Sequence, residues 1–561
     1  MTKIICKKTG QEYEVSQQEI DLLENISPVL EWKKYLIPVS KYHPDVQHQQ
    51  HLSRRNERNL YKTTCALTWQ PIITNLHPSS GYTIYNYKDR RSDKWDPFAY
   101  GIFFDANTSF TQQFGEMFFH IPQISLYLGP TMENCDYCNY GMDSKSCYMS
   151  TSVIRSEHCY YSYLSMRCYY DVDWHANTDC KYCYACWYTM NCYKCQYAIH
   201  SYDCRSCKYV FDCRDCEFCF CCVNLNHKKY CIFNTQYDKE TYFEKLTELE
   251  KESHEIISQK FVAFILTLPK RATRCFQTEW TTGDFNFHSK NCINCYDMQN
   301  ADDCINVRTS GIESSDFVNC TIVGVSSQLY SSIGISRSHS SAFNIGSDGL
   351  YQCFYCYYCR NCEFCFGCVR LRHKKYCIFN KQYTKEEYEK ELIKIITKMQ
   401  ETGERGEFFD PAISPFPYND SDAFDRFPET KEQVESRGGK FIEREQKKFT
   451  GEKFYPESIA VYKDSPVKRK ELLEATLTCE VTGTAFRLIE QELDFYIKFD
   501  IPIPRKCYLQ RYKERWDLRN LPRKLRDRKC AKCWVDIKTS YSPERPEIVY
   551  CEQCYNKEIY G

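Results

Sequence analysis

The sequence predicts a mainly β protein with a few helices. A two-part cysteine-laddered β-solenoid is expected between ribbon-like modules at the two ends. Three observations predict this. Cysteines recur at multiples of three residues over long stretches, as in CFYCYYCRNCEFCFGC, Cys353 to Cys368. The cysteine-rich part occurs twice, and the two chain ends resemble each other. The last module carries two CxxC pairs at ribbon spacing.

The ladder comes first. From Cys135 to Cys231 there are 18 cysteines, and only Cys221 departs from positions divisible by three. Cys292, Cys295 and Cys304 share a second phase, and Cys320 and Cys353 through Cys377 a third. A helix repeats at 3.6 residues and a strand at 2, so period three fits neither. It fits a tight β-solenoid whose short sides each turn one small residue inward. Steps of 12 and of 21 both occur, which leaves the length of the coil open. Free cysteine is small and tolerates burial. Serine takes over in SSQLYSSIGISRSHSSAFNIGS, Ser326 to Ser347. The 46 tyrosines and the 16% aromatic content would then stack in outer ladders. Metal or cluster loading and disulfide stapling are the competing readings of the array.

The duplications set the boundaries. CRDCEFCFCCVNLNHKKYCIFNTQYDKETY (Cys213–Tyr242) and CRNCEFCFGCVRLRHKKYCIFNKQYTKEEY (Cys359–Tyr388) align without a gap. Each run leads into a helix. In the second, Thr384 and Glu387 form a capping box, and Tyr388, Leu392, Ile395, Ile396 and Met399 share one face. The expected domains are a degenerate zinc-ribbon-like module (1–98), a cysteine-rich solenoid with a trailing helix (99–262), and a Cys/Ser-rich solenoid with a trailing helix (263–400). An extended, proline-bearing linker follows (401–475), with one short helix from Thr430 to Arg437. A zinc-ribbon module closes the chain (476–561).

Cys530-x2-Cys533-x17-Cys551-x2-Cys554 has the spacing of a four-thiolate zinc site, two tight turns each presenting two sulfurs. One structural zinc is expected there. The related positions have decayed elsewhere. Cys479/Thr482 and Cys507/Gln510 keep one cysteine of each pair. Cys65, Thr68, Asn86 and Asp89 keep one of four. The N-terminal module is expected to survive on packing, the alternative being a mixed-ligand site using His43, His48 or His51.

The quoted runs, with WDPFAYG (Trp95–Gly101), GERGEFFDPAISPFPYND and PERPEIVYCEQCY, resemble a family of uncharacterised Cys/Tyr-rich zinc-ribbon proteins of reduced-genome bacteria. The resemblance covers nearly the whole chain. It implies zinc ribbons flanking a repetitive cysteine-rich middle, and it implies no activity.

Composition narrows the function. The 561 residues carry 74 basic and 74 acidic side chains, so no global field draws nucleic acid or a membrane. No export signal and no run long enough to span a bilayer is visible, so a cytoplasmic, reducing location is expected. No metalloprotease, Walker, nucleophile-elbow or dinucleotide motif occurs, so no catalytic residue and no small-molecule substrate is named. His227 and His373 each precede a cysteine by four residues and read as turn residues. Arg505 to Cys533 holds twelve Lys/Arg against three acids, with aromatics between them. Arg511, Arg515, Arg523 and Arg526 are the residues expected to touch phosphates if the module meets nucleic acid. The expected function is a zinc-binding, non-enzymatic scaffold or interaction protein, with a protein or nucleic-acid partner. The alternative is a metal- or Fe–S-loaded cysteine array with redox, metal-handling or enzymatic activity.

Overall fold

A computed structural model describes residues 2–310, 314–443, 450–451, 454–517 and 524–561. The protein is mainly β, with helices packed on the outside of the strands.

Between residues 133 and 232, each segment pairs in parallel with the segment twelve residues later. Thr151 pairs Tyr163, Tyr163 pairs His175, Gln196 pairs Lys208 and Glu217 pairs Lys229. Bridges such as Glu133↔Lys145 and Arg214↔Asn226 continue the same offset. The rung is therefore twelve residues, which settles what the spacing left open. Every third residue is left-handed, from Asn134 (φ 48°) to Tyr230 (φ 56°). Each side of a rung is thus a bridge residue, a left-handed residue that turns the corner, and an inward residue. Left-handed backbone is costly for a residue with a Cβ. It persists here because the turned backbone is hydrogen-bonded to both neighbouring rungs: Lys145 N–H donates to Ser156 O (3.0 Å) and Ser146 N–H to Glu133 O (2.9 Å).

The inward residues explain the cysteines. Cys353 Sγ donates to Tyr351 O (3.4 Å) within its own rung and to Cys362 O (3.3 Å) in the next. Ser150 Oγ donates in the same way to Tyr148 O and Cys159 O, and accepts from Ser162 N–H (3.0 Å). Cys180 Sγ likewise accepts from Cys192 N–H (3.3 Å). The slot needs a small side chain that also offers an acceptor to the inward N–H of the next rung, as Ser150 does to Ser162. The carbonyls it touches already accept backbone N–H, Tyr148 O from Tyr161 (3.0 Å) and Cys159 O from Tyr148 (3.1 Å). Ser332, Ser338, Ser341 and Ser347 fill it where cysteine is absent. Asp171 and Asn177 fill it with a carbonyl-type oxygen that accepts from Cys183 and Thr189 N–H. Outside, aromatics twelve apart stack: His175 on Trp187 (4.0 Å), Tyr197 on Tyr209 (4.7 Å), Phe343 on Tyr355 (4.6 Å) and Phe364 on Tyr376 (5.3 Å).

Cys221, the cysteine out of phase, is a left-handed corner residue (φ 53°). It is buried with Tyr209, Phe220, Ile257 and Phe261, under the helix His254–Thr267. In the second stack the offset is 11 at Cys275↔Asn286, 12 at Gly283↔Cys295, and 13 at Ala301↔Ser314 and Arg308↔Thr321. That one long rung moves the inward slot from the phase of Cys304 to the phase of Cys320.

Both stacks end alike. A two-residue turn, Phe233-Asn234 or Phe379-Asn380, has both residues left-handed, as a type I′ hairpin requires. The asparagine then closes the last rung: Asn380 accepts from Val369 N–H (2.8 Å) and donates to Val369 O (2.9 Å). Asn234 does the same to Val223. Helices follow at Lys239–Leu249 and Lys385–Glu401. The second has the capping box of Thr384 and Glu387, and it buries the five residues of the expected face. The first is succeeded by another helix that runs to Thr267, past the expected boundary at 262. The 401–475 segment contains more helix than expected: besides Lys431–Glu435, it forms Ile459–Asp464 and Pro466–Glu474.

Candidate metal centre

The terminal regions form four versions of one knuckle module, around Cys6, Cys65, Cys479 and Cys530. In the first, Cys6 N–H donates to Gln11 O and Gly10 N–H to Cys6 O, both at 2.9 Å. In the last, strands Arg526–Lys529 and Asp536–Thr539 make a hairpin. Cys530 N–H donates to Val535 O and Trp534 N–H to Cys530 O, both at 2.9 Å. Trp534 is left-handed, which closes the tight turn. Cys551 caps the helix Glu552–Ile559, its Sγ accepting from Cys554 N–H (3.4 Å). Cys551 N–H in turn donates to Cys530 Sγ (3.2 Å).

The Sγ atoms of Cys530, Cys533, Cys551 and Cys554 all lie within 4.8 Å of one another. Cys533 and Cys551 are 3.7 Å apart. A tetrahedral ion with bonds of about 2.3 Å to sulfur needs ligands about 3.8 Å apart. The four residues fit such an ion and could hold it. Burial would raise the Cys530 thiol, but the N–H groups of Cys533, Cys551 and Lys532 outweigh it and hold the thiol at about 6. Among the described residues this is the one group of three or more His, Cys, Asp or Glu placed to bind a metal. The array thiols face backbone carbonyls, and burial pushes Cys320 up to about 12. All 38 cysteines are free thiols.

The module around Cys65 keeps this frame without the ligands. Cys65 N–H donates to Gln70 O (2.9 Å), Trp69 N–H to Cys65 O (2.8 Å) and Asn86 N–H to Cys65 Sγ (3.2 Å). Asn86 caps a short helix through its side chain, where Cys551 uses sulfur. His43, His48 and His51 are not gathered around Cys65. His43 accepts from Asp45 N–H, while His48 and His51 meet Thr321 Oγ1 at 3.1 Å, on the second stack.

The modules dock crosswise. Lys270 and Ala272 donate to Ile548 O and Tyr550 O, which joins the Cys530 module to the start of the second stack. Gln123 and Ser125 donate in the same way to Thr83 O and Tyr85 O, which joins the Cys65 module to the start of the first. The other two modules each lay a helix on a stack. Glu19 accepts from Tyr330 OH (3.2 Å) on the second, and Glu492 accepts from Tyr161 OH (2.8 Å) on the first. Both glutamates lie thirteen residues after the cysteine of their knuckle, Cys6 or Cys479. That duplication was the signal from which these anchors could have been read.

Three of the four arginines named for phosphate contact are engaged by groups of the protein itself. Arg511 is buried against Asp173 (2.9 Å) and Glu492 (3.6 Å), and Arg515 also reaches Asp173 (3.1 Å). Arg526 donates to Lys524 O and Ser540 O. Arg523 lies outside the described residues. Neither Arg511 nor Arg515 is presented as a phosphate contact must be. His227 and His373 are exposed corner residues, while the thiols of Cys231 and Cys377 donate to Lys229 O and Lys375 O.

No protein-family model, curated protein or solved structure matches this chain. No helix among the described residues is long and apolar enough to cross a membrane.

Proposed function

We propose that this protein is a zinc-binding, non-enzymatic scaffold. Two cysteine-laddered β-solenoids form its body, and four zinc-ribbon-derived modules clasp them. The ion at Cys530, Cys533, Cys551 and Cys554 is zinc, and it fixes the module that docks on the start of the second stack. The observation that carries this reading is the four-sulfur cage of tetrahedral size on that module. The free thiols favour a reducing, cytoplasmic location. The resemblance to Cys/Tyr-rich zinc-ribbon proteins implies the same arrangement. The knuckle tips are the surfaces offered to a protein partner: Trp69 and Trp534 occupy the same left-handed position and are 79% and 72% exposed. Metal analysis of protein purified anaerobically tests the reading. One zinc per chain is expected, and Cys551→Ser should release it. A variant that kept its zinc, or a wild type holding several ions lost on array substitutions, would overturn it.

A further inference from the structure

The third knuckle module keeps two of its four ligand positions, Cys479 in the place of Cys530 and Cys507 in the place of Cys551. Its frame is that of the metal centre. Cys479 N–H donates to Thr484 O and Gly483 N–H to Cys479 O, both at 2.9 Å, matching Cys530 with Val535 and Trp534. Cys507 N–H points at the Cys479 sulfur, as Cys551 N–H points at Cys530. The two thiols occupy the places of Cys530 and Cys551, whose sulfurs share the metal cage, and Cys479 and Cys507 are both buried. Thr482, in the place of Cys533, is exposed, and its hydroxyl is 3.9 Å from Cys507 Sγ. That hydroxyl donates to Thr484 Oγ1 (3.0 Å). Gln510, in the place of Cys554, donates its amide to Glu514 (3.0 Å), which Lys506 also holds (2.8 Å).

A four-coordinate ion would find two thiolates, a hydroxyl and an amide already engaged. A soft cation that accepts two ligands in line needs only the sulfurs. Thiolates favour both zinc and the cuprous ion. Structural zinc takes four ligands, whereas the cuprous ion is a closed-shell cation content with two-fold linear coordination. We propose that Cys479 and Cys507 form a two-thiolate site for Cu(I), separate from the zinc centre. Binding displaces one proton from each thiol and leaves a complex of single negative charge. The open side at Thr482 admits the ion from solvent. This site is additional to the zinc reading and does not depend on it.

The test uses the full-length, zinc-loaded protein, titrated anaerobically with Cu(I) against a chromophoric copper chelator while released zinc is measured. The first equivalent of copper should bind with zinc retained. Cys479→Ser and Cys507→Ser should each abolish that equivalent. Cys551→Ser, which disturbs only the zinc centre, and Cys359→Ser, in the array, should both keep it. The double change Thr482→Cys with Gln510→Cys should restore four thiolates and turn the site to zinc, giving a second zinc per chain. Copper that binds only by displacing zinc would overturn the proposal. So would a first equivalent that survives both serine changes, or a Cys479–Cys507 disulfide in protein purified anaerobically.

Discussion

Arg511 and Asp173 meet at 2.9 Å inside the protein, Arg511 from a C-terminal helix and Asp173 from a corner of the first stack. Asp173 has no exposed surface, and Glu492 beside them has none. A charge in such a place stabilises only while its partner stays, because removing one side leaves the other buried and unpaired.

Arg511→Met should therefore destabilise the protein by about 3 kcal/mol, since it takes the cation from Glu492 and leaves Asp173 with Arg515 alone. The same change with Asp173→Asn should cost less than the sum of the two singles. Urea unfolding of the four proteins in the cycle measures this. Strict additivity would show that the pair contributes nothing.

In the ladder, serine should be the mildest replacement for cysteine. Cys359 Sγ faces Cys368 O (3.4 Å), and serines in equivalent slots make the same bonds. Cys359→Ser should stay within about 1 kcal/mol of wild type, while Cys359→Ala loses both the bond to Cys368 O and the packing of the sulfur and should cost about 1–3 kcal/mol. Cys359→Leu should be worst, because a larger side chain forces the rung open. Chemical denaturation of the three variants gives the order. Alanine milder than serine would mean that size alone governs the slot.

The Cys65 module should accept a metal once its ligands return. Thr68→Cys, Asn86→Cys and Asp89→Cys together place thiols on a frame whose Cys65 sulfur already receives Asn86 N–H. Bound zinc should rise by one per chain. Unchanged metal content would show that the frame has moved too far to close.

Burial pushes the Glu19 carboxyl up to about 7, against the pull of its bonds from Tyr330 and Asn319. The folded protein thus holds a proton there that the unfolded chain releases near 4.5. The stabilisation is full below that value and is lost as pH rises through 7, by up to ~3 kcal/mol. Glu19→Gln removes the titration, so it should be the more stable protein above pH 7 and close to wild type near pH 4. Thermal unfolding across this range decides it. A variant less stable at every pH would show that the carboxylate is needed for its charge.

How much was legible in the sequence depends on how far each cause reaches along the chain. Period three, the interchange of cysteine with serine and the capping box of Thr384 act within a few residues, so they could be read directly. The four-thiolate spacing was legible because a knuckle is a local turn and two knuckles need only one hairpin. The twelve-residue rung was not, because cysteine steps of 21 also satisfy period three, and only the parallel register chooses among the multiples. The fate of the basic stretch was decided by tertiary structure alone. Arg511 and Arg515 look like solvent-facing cations in sequence, yet Asp173, more than 300 residues earlier, turns them inward. The same holds for the crosswise docking, since a helix cannot specify from its own residues which stack will bury its glutamate. Local sequence determined what each rung and knuckle is, and long-range burial of charge decided where each one sits.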